Sequence, residues 1–584
     1  MVGETPGPAA TPATPERPPP APAGPARYGS DAVAELLRAL GFPFIALTPG
    51  ASFRGLHDSL VNHLGNTRPQ MLLCLHEDTA VSLAQGWAKV TGRPLAVALH
   101  SNVGLLHGSM SIFNAWCDRV PMLVIGATGP VDAARRRPWI DWIHTAQDQN
   151  ALVRNFVKWD AQPASVPAAT EALLRASWLT ATPPCAPVFV TLDAGLQEAA
   201  LEAPFAAPDP ARFLPPAAPH PAPAAIARAA AMLRAARHPV LLIGRNGRGT
   251  DAWAARVALA EAVGARVATD IKCPAAFPTD HPLHLGAPAT FPAPELLAAL
   301  READLVVSLD WVALAGTLAA APVAKGVPVI QVSPDHALHN GWSMDHQGFA
   351  PVALHLPAPP DAVLGELLAA LGVTPGGFVA SAAPAPEAPP EGAPEGALTV
   401  TGLALALRAA TLGQAVSLLH LPLGWNGADW PFRHPLEYLG GDGGAGIGAG
   451  PGIAVGAALA LVGSGRLPVA VLGDGDFLMG VTALWTAVHY GVPLLVVIAD
   501  NRSFYNDELH QERVARMRNR PVDNKWIGQR LAGPEVDLAA MARAQGALGL
   551  GPVAEGKALA AALAEAIAHV RAGGVAVVDA RVAA

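Results

Sequence analysis

The stretch that decides the fold is VAVLGDGDFLMGVTALWTAVHYGVPLLVVIADNRSF, residues 469–504. An apolar run, Val469 to Leu472, ends in Gly473-Asp474-Gly475. The spacing predicts an amphipathic helix over about Met479 to Tyr490. A second apolar strand follows, Leu494 to Ala499, and ends in Asp500-Asn501-Arg502-Ser503. Both polar ends therefore fall at the carboxyl edge of adjacent parallel strands, where α/β sheets bind ligands. Asp474 offers a carboxylate and Asn501 an amide oxygen, 501 − 474 = 27 positions apart. Hard oxygen donors beside helix-start amides suit Mg²⁺ carrying a diphosphate.

Some 400 positions upstream, Leu72 to Leu75 is a short apolar run that leads into His76-Glu77 and a helix rich in small residues, about Thr79 to Val90. A carboxylate at the end of an apolar strand is costly unless it has a partner or a task. At 100 − 77 = 23 positions beyond Glu77 comes Leu99-His100-Ser101, then Gly104, Gly108 and Asn114-Ala115-Trp116. Between these motifs and the first lies Gly440-Gly441-Asp442-Gly443-Gly444-Ala445-Gly446-Ile447-Gly448. So many glycines allow close approach of backbone to a ligand.

Together these residues resemble the thiamin-diphosphate signature GDG…NN, with Asp500 in place of the first Asn. The chain is identified as a member of the acetolactate synthase, pyruvate decarboxylase and benzoylformate decarboxylase group. The resemblance implies thiamin diphosphate and Mg²⁺ as cofactors, with Asp474, Asn501 and Ser503 as metal ligands. Gly446, Gly473 and Gly475 would border the cofactor, and Ile447 would prop it in its bent form. Glu77 would bind and activate the aminopyrimidine, and His100 would exchange protons at the reacting carbon. Asp507, six positions after Asn501, matches the place of a carboxylate that acts on substrate in pyruvate decarboxylase relatives. Two departures from benzoylformate decarboxylase stand out. Ala51 occupies the place of its substrate-binding serine, with Ser52 one step later. No histidine lies in the central stretch from Val306 to Gly316, where that enzyme has its second catalytic one. His76 and His107 read as structural.

The resemblance implies an α/β architecture of three doubly wound parallel-sheet domains: pyrimidine-binding (28–200), central (224–371) and diphosphate-binding (398–584). Alternating strand and helix patterns support the same division. A Pro/Ala-rich extension over 1–27 is expected to be disordered, and 375–395 reads as a linker. Gly244-Arg245-Asn246-Gly247 follows a predicted strand without the full nucleotide fingerprint, and reads as a packing turn rather than a FAD or ADP site.

Bulk properties narrow the classes. With 584 residues, 51% hydrophobic and 15% charged, the chain is suited to several large buried sheets. A net charge of −8 argues against a nucleic-acid surface. Four cysteines without metal or CxxC spacing, and no apolar run of membrane length, point to a cytoplasmic protein. The expected activity is decarboxylation of a 2-oxo acid, or carboligation, through a C2 ylide and an enamine. An acetolactate-synthase-type condensation, an acyl-CoA lyase and an inactive binding paralogue are the alternatives. In the family the two motif-bearing domains meet across a subunit boundary, so a homodimer or homotetramer is expected.

Overall fold

The computed structural model describes residues 16–18, 24–321, 326–338, 348–379 and 398–583. Most of the expected extension over 1–27, and the linker from 380 to 395, lie outside these. Three sheets follow one another along the chain, each wholly parallel. Strands β1 (Phe44–Leu47), β2 (Gln70–Leu73), β3 (Ala96–Leu99), β4 (Met122–Thr128), β5 (Asp160–Ala161) and β6 (Pro187–Asp193) form the first, in the order β2-β1-β3-β4-β6-β5. The central sheet holds β7 (Pro239–Ile243), β8 (Arg266–Thr269), β9 (Leu305–Leu309), β10 (Val329–Val332) and β11 (Leu354–Leu356), ordered β11-β10-β9-β7-β8. The last contains β12 (Val416–His420), β13 (Leu467–Gly473), β14 (Leu494–Asp500), β15 (Leu548–Val553) and β16 (Val575–Arg581), ordered β12-β13-β14-β16-β15. Runs such as LLVVIAD in β14 are buried at every position, as befits strands covered by helices on both faces.

In the first sheet, β1 pairs with β2 on one side and β3 on the other. Their carboxyl ends thus flank a topological switch point, where such sheets open a crevice.

The predicted helix over Met479 to Tyr490 is instead two short helices, Asp474–Gly480 and Ala483–His489. The first begins inside the GDG motif, so Asp474 sits at a helix start. At Gly480 a Cβ would lie 2.4 Å from the carbonyl oxygen of Gly448, so the chain passes too close to its neighbour for a side chain. The carboxyl edge of the expected extension also belongs to the fold. Ala26 is buried, Leu201 donates its amide to the Arg27 carbonyl, and the Glu16 carboxylate accepts from the Tyr490 hydroxyl at 2.9 Å.

The first and last domains share one apolar core. Its axis is the crossing of helix Glu77–Thr91 over helix Gly450–Leu461. A Cβ at Gly86 would lie 2.0 Å from the Ile453 carbonyl oxygen, and one at Gly456 1.8 Å from that of Leu83. Both glycines are needed because backbone meets backbone there. We expect Gly456→Ala to cost about 1–3 kcal/mol, the usual range for overpacking, and to lower the thermal midpoint. An unchanged midpoint would show that the two helices separate freely.

Candidate active site

Glu77 is the first residue of its helix and is 7% exposed. The preceding His76 caps that helix, its Nδ1 accepting the Asp78 amide at 3.1 Å. Glu77 lies under helix Ser101–Cys117. At Gly104 a Cβ would come within 3.2 Å of the Glu77 Oε1, so the glycine leaves room for the carboxylate. His107, one turn on, brings Nδ1 to 3.1 Å from Glu77 Oε2. It was read as structural, but it touches the proposed activating carboxylate. Its i, i+3 relation to Gly104 puts both residues on one helix face, a signal that single-residue reading passes over.

His100 follows β3 and Ser52 follows β1, so the two meet at the switch point of the first sheet. Ser52 Oγ is 2.8 Å from His100 Nδ1, and the Ser52 amide is directed at the same nitrogen at 3.4 Å. An amide N–H can only donate, which makes Nδ1 the acceptor and puts the proton of the neutral ring on Nε2. A Cβ at Gly50 would lie 2.3 Å from that of His100, so the Thr48-Pro49-Gly50 turn is shaped to receive the imidazole. Burial, then the nearby His144, push the His100 pKa down, while Glu77 pulls it up. The serine at this turn that engages the site is therefore Ser52. Nothing in the sequence marks His144, which lies in an irregular loop without periodicity.

The Gly-rich run is pinned on both sides of Ile447. Asn114, of the Asn-Ala-Trp motif, accepts the amides of Gly444 (3.1 Å) and Gly446 (3.4 Å) on Oδ1. On the other side, Asp476 Oδ1 accepts those of Gly448 (2.6 Å) and Gly450 (3.2 Å). Ile447 is left 42% exposed between these anchors. Helix Ser101–Cys117 thus spans from Glu77 at one end to the Ile447 loop at the other. Asp476 was not singled out in the sequence, although it directly follows the GDG triplet.

At the ends of β13 and β14, Asp474 and Asn501 converge. The Ser503 amide donates to both Asp474 Oδ2 (3.1 Å) and Asn501 Oδ1 (2.9 Å). Arg502 adopts φ +57°, the left-handed conformation that lets the loop fold back. Gly475 must be glycine here, since a Cβ would lie 2.5 Å from the Phe504 ring. Asp500, where the family signature has Asn, accepts the Arg502 amide at 3.0 Å and pairs with Arg581 at 3.2 Å. Asp579 on the neighbouring β16 is fully buried beside the Asp500 carboxylate. Burial and the proximity of Asp500 raise the pKa of Asp474 and of Asp579 to about 7. Three crowded carboxylates against one guanidinium leave negative charge in excess, and the donors are hard oxygens. The residues present fit Mg²⁺.

Asp507 stands apart from these contacts. It is exposed in the first turn of helix Tyr505–Met517. The neighbouring Glu508 turns inward instead and accepts the Ser503 hydroxyl at 2.5 Å. Helical geometry separates the two: adjacent residues point about 100° apart, so only one can face the metal loop.

Fold and motifs together define an α/β enzyme that takes a diphosphate-bearing cofactor. The chain belongs to the thiamine pyrophosphate enzyme family. Its residues 27–152 match the thiamine pyrophosphate enzyme N-terminal TPP binding domain, 226–342 the central domain, and 424–580 the C-terminal TPP binding domain. Benzoylformate decarboxylase of Pseudomonas aeruginosa is 30% identical over 445 residues, 74% of this chain and 79% of that one. Acetolactate synthase isozyme 1 large subunit of Escherichia coli is 25% identical over 495 residues, 81% and 82% of the two chains. In fold the chain is similar to 4-hydroxybenzoylformate decarboxylase of Rhodococcus jostii, with a TM-score of 0.76 and 22% identity over 95% of this chain and 99% of that one. Benzoylformate decarboxylase of Polynucleobacter necessarius gives 0.77 and 21% over the same shares. Among the described residues no helix is long and apolar enough to cross a membrane.

The oxygen set yields a direct test. Thiamin diphosphate with Mg²⁺ should raise the thermal midpoint of the wild-type protein, because a ligand that binds only the native state stabilises it. In Asp474→Ala most of that rise should vanish. A full rise in the variant would exclude Asp474 from holding the metal.

Proposed function

We propose that this chain is a thiamin-diphosphate- and Mg²⁺-dependent 2-oxo acid decarboxylase of the benzoylformate decarboxylase kind, able in principle to join the bound fragment to a second carbonyl. The observation that carries the reading is His100, a half-buried imidazole held by Ser52 at the switch point of the domain that also presents Glu77. The 30% identity to a benzoylformate decarboxylase supports it.

When bound, thiamin diphosphate supplies the electron sink for cleavage next to a carbonyl. Asp474, Asn501 and Ser503 would hold its metal and diphosphate. Glu77 would receive the aminopyrimidine, its place secured by Gly104. Ile447, clamped through Gly446 and Gly448, would support the cofactor's bend. His100 has its Nδ1 engaged by Ser52, so proton exchange falls to Nε2. A neutral Nε2–H can donate to developing negative charge on the substrate side.

An acetolactate-synthase-type reaction with FAD in the central domain is disfavoured by the turn after β7. Three of its amides are already bonded: Gly244 and Arg245 donate to the Leu309 and Asp310 carbonyls, and Gly247 to the Asp361 carboxylate at 2.9 Å. A Cβ at Gly244 would lie 2.2 Å from the Asp310 carbonyl oxygen, so the switch point between β7 and β9 is filled by its own backbone. This supports the packing-turn reading.

A second copy of the chain is the expected partner. Leu106, Met110, Ile447 and Met479 lie 56%, 40%, 42% and 62% exposed around the site, apolar surface that a homodimer or homotetramer would cover.

The test is CO₂ release from a panel of aromatic and aliphatic 2-oxo acids, with Mg²⁺ and thiamin diphosphate. Glu77→Gln should lower the rate by about 10²–10⁴, the range for losing a positioned acid–base group. Cofactor binding without CO₂ release from any 2-oxo acid would redirect the assignment to condensation or lyase chemistry.

A further inference from the structure

His144 lies in the irregular chain that follows β4, and its ring centre is 4.7 Å from that of His100, with the planes tilted by 56°. The contact is built rather than incidental. Ser101, next to His100, adopts φ +46°, a left-handed conformation that non-glycine residues rarely take. Its hydroxyl donates to the His144 carbonyl oxygen at 2.7 Å. The strained residue thereby ties the His144 loop to the start of helix Ser101–Cys117. Lower in the same loop, Asp141 accepts the Arg137 amide at 2.6 Å and its guanidinium at 2.8 Å. Gly129 makes room for this turn, since a Cβ there would lie 2.6 Å from Thr145 Oγ1. Backbone strain of this kind persists only where the surroundings impose it, and it gathers at functional sites.

We propose that His144 is the partner imidazole of His100, a positioning residue that keeps His100 neutral and orients it, supplied by the loop after β4. The inference rests on the assignment of His100 as the proton-exchanging group. It also bears on the missing histidine of the central domain: no histidine occurs from Val306 to Gly316. The groups that face His100 are few. Ser52 approaches from the turn after β1, Glu77 acts from the start of its helix, and His144 comes from the opposite loop. The imidazole beside it opposes positive charge on the His100 ring. Loss of His144 removes that opposition while Glu77 remains, and His100 should then hold a proton at higher pH.

The experiment reads His100 itself. Full-length protein is treated with diethylpyrocarbonate across pH 5–8, and ethoxyformylation of His100 is followed by peptide mass spectrometry. Only the neutral ring reacts. In the wild type the midpoint should lie below that of a free imidazole. In His144→Asn it should rise by about half a unit, the size of a like-charge contact at this distance under strong screening, which is about threefold slower modification on the acid side. The acid limb of kcat/KM should move up with it. Ser101→Ala, which releases only the loop, should shift the midpoint the same way by less, and it serves if His144→Asn does not fold. An unmoved midpoint in a folded variant overturns the proposal. Modification needs no turnover, so a shifted midpoint without CO₂ release would keep the pairing and sink the decarboxylase assignment instead.

Discussion

The packing of the first domain on the last depends on how closely two helices can cross. Helix Glu77–Thr91 carries the proposed activating carboxylate at its first residue, and helix Gly450–Leu461 continues directly from the loop of Ile447. Glycines at 86, 452 and 456 let backbone or a small hydroxyl take the space a Cβ would fill. The crossing sets how far the carboxylate stands from the Gly-rich loop, and packed interiors transmit such distances with little slack. Helix Ser101–Cys117 then lies along both, touching Glu77 through Gly104 and His107 and the loop through Asn114. The placement of Glu77 relative to the Ile447 loop is in this sense inherited from packing. Precision of about half an ångström is what cofactor chemistry requires, and rigid elements supply it better than loops.

Charge is the second organising constraint. Asp474, Asp500 and Asp579 gather at the carboxyl ends of β13, β14 and β16, answered by Arg581. Bringing buried carboxylates together costs free energy that a cation can return. Asp500 is the departure from the family signature, and its two contacts explain how the change is tolerated. One oxygen accepts the Arg502 amide in the turn, as an asparagine would, and the other meets the guanidinium. The loop conformation is kept while the local charge becomes more negative.

Much of this was legible in the sequence. The three parallel-sheet domains follow from strand and helix alternation, and Glu77, His100, Asp474 and Asn501 stand at or a few residues beyond the ends of strands. Strand-end residues are readable because sheet register and connectivity leave them little choice of position. What escaped notice depends on contacts between distant segments. Asp476 anchors a loop 26 residues upstream, and Asn114 reaches across 332 positions to Gly446. The predicted continuous helix breaks at Gly480-Val481-Thr482, where weak helix formers coincide with crowding of Gly480 by the Gly448 carbonyl and Pro451. The crowding is not encoded locally. Asp507 and Glu508 differ by one position and 100° of helix, a rotation that pattern alone could not assign.

His100 and His144 separate along the same line. His100 is a strand-end residue that the spacing from Glu77 points to, whereas His144 becomes visible only when the loop after β4 is seen folded back over β3. Its position follows from a chain of local constraints: Gly129 admits the turn, Asp141 closes it on Arg137, and Ser101 accepts a strained backbone in order to hold the His144 carbonyl. A loop held by so many specific contacts is not filling space. Irregular segments are where a fixed scaffold can vary its chemistry at little cost to the core, and here the scaffold has placed one of the site's imidazoles on such a segment. A family that shares three domains and one cofactor can differ in this way, by which loop supplies the group that packs against the strand-end histidine. The sheets need not change for that, since each loop begins at a strand end already directed at the crevice.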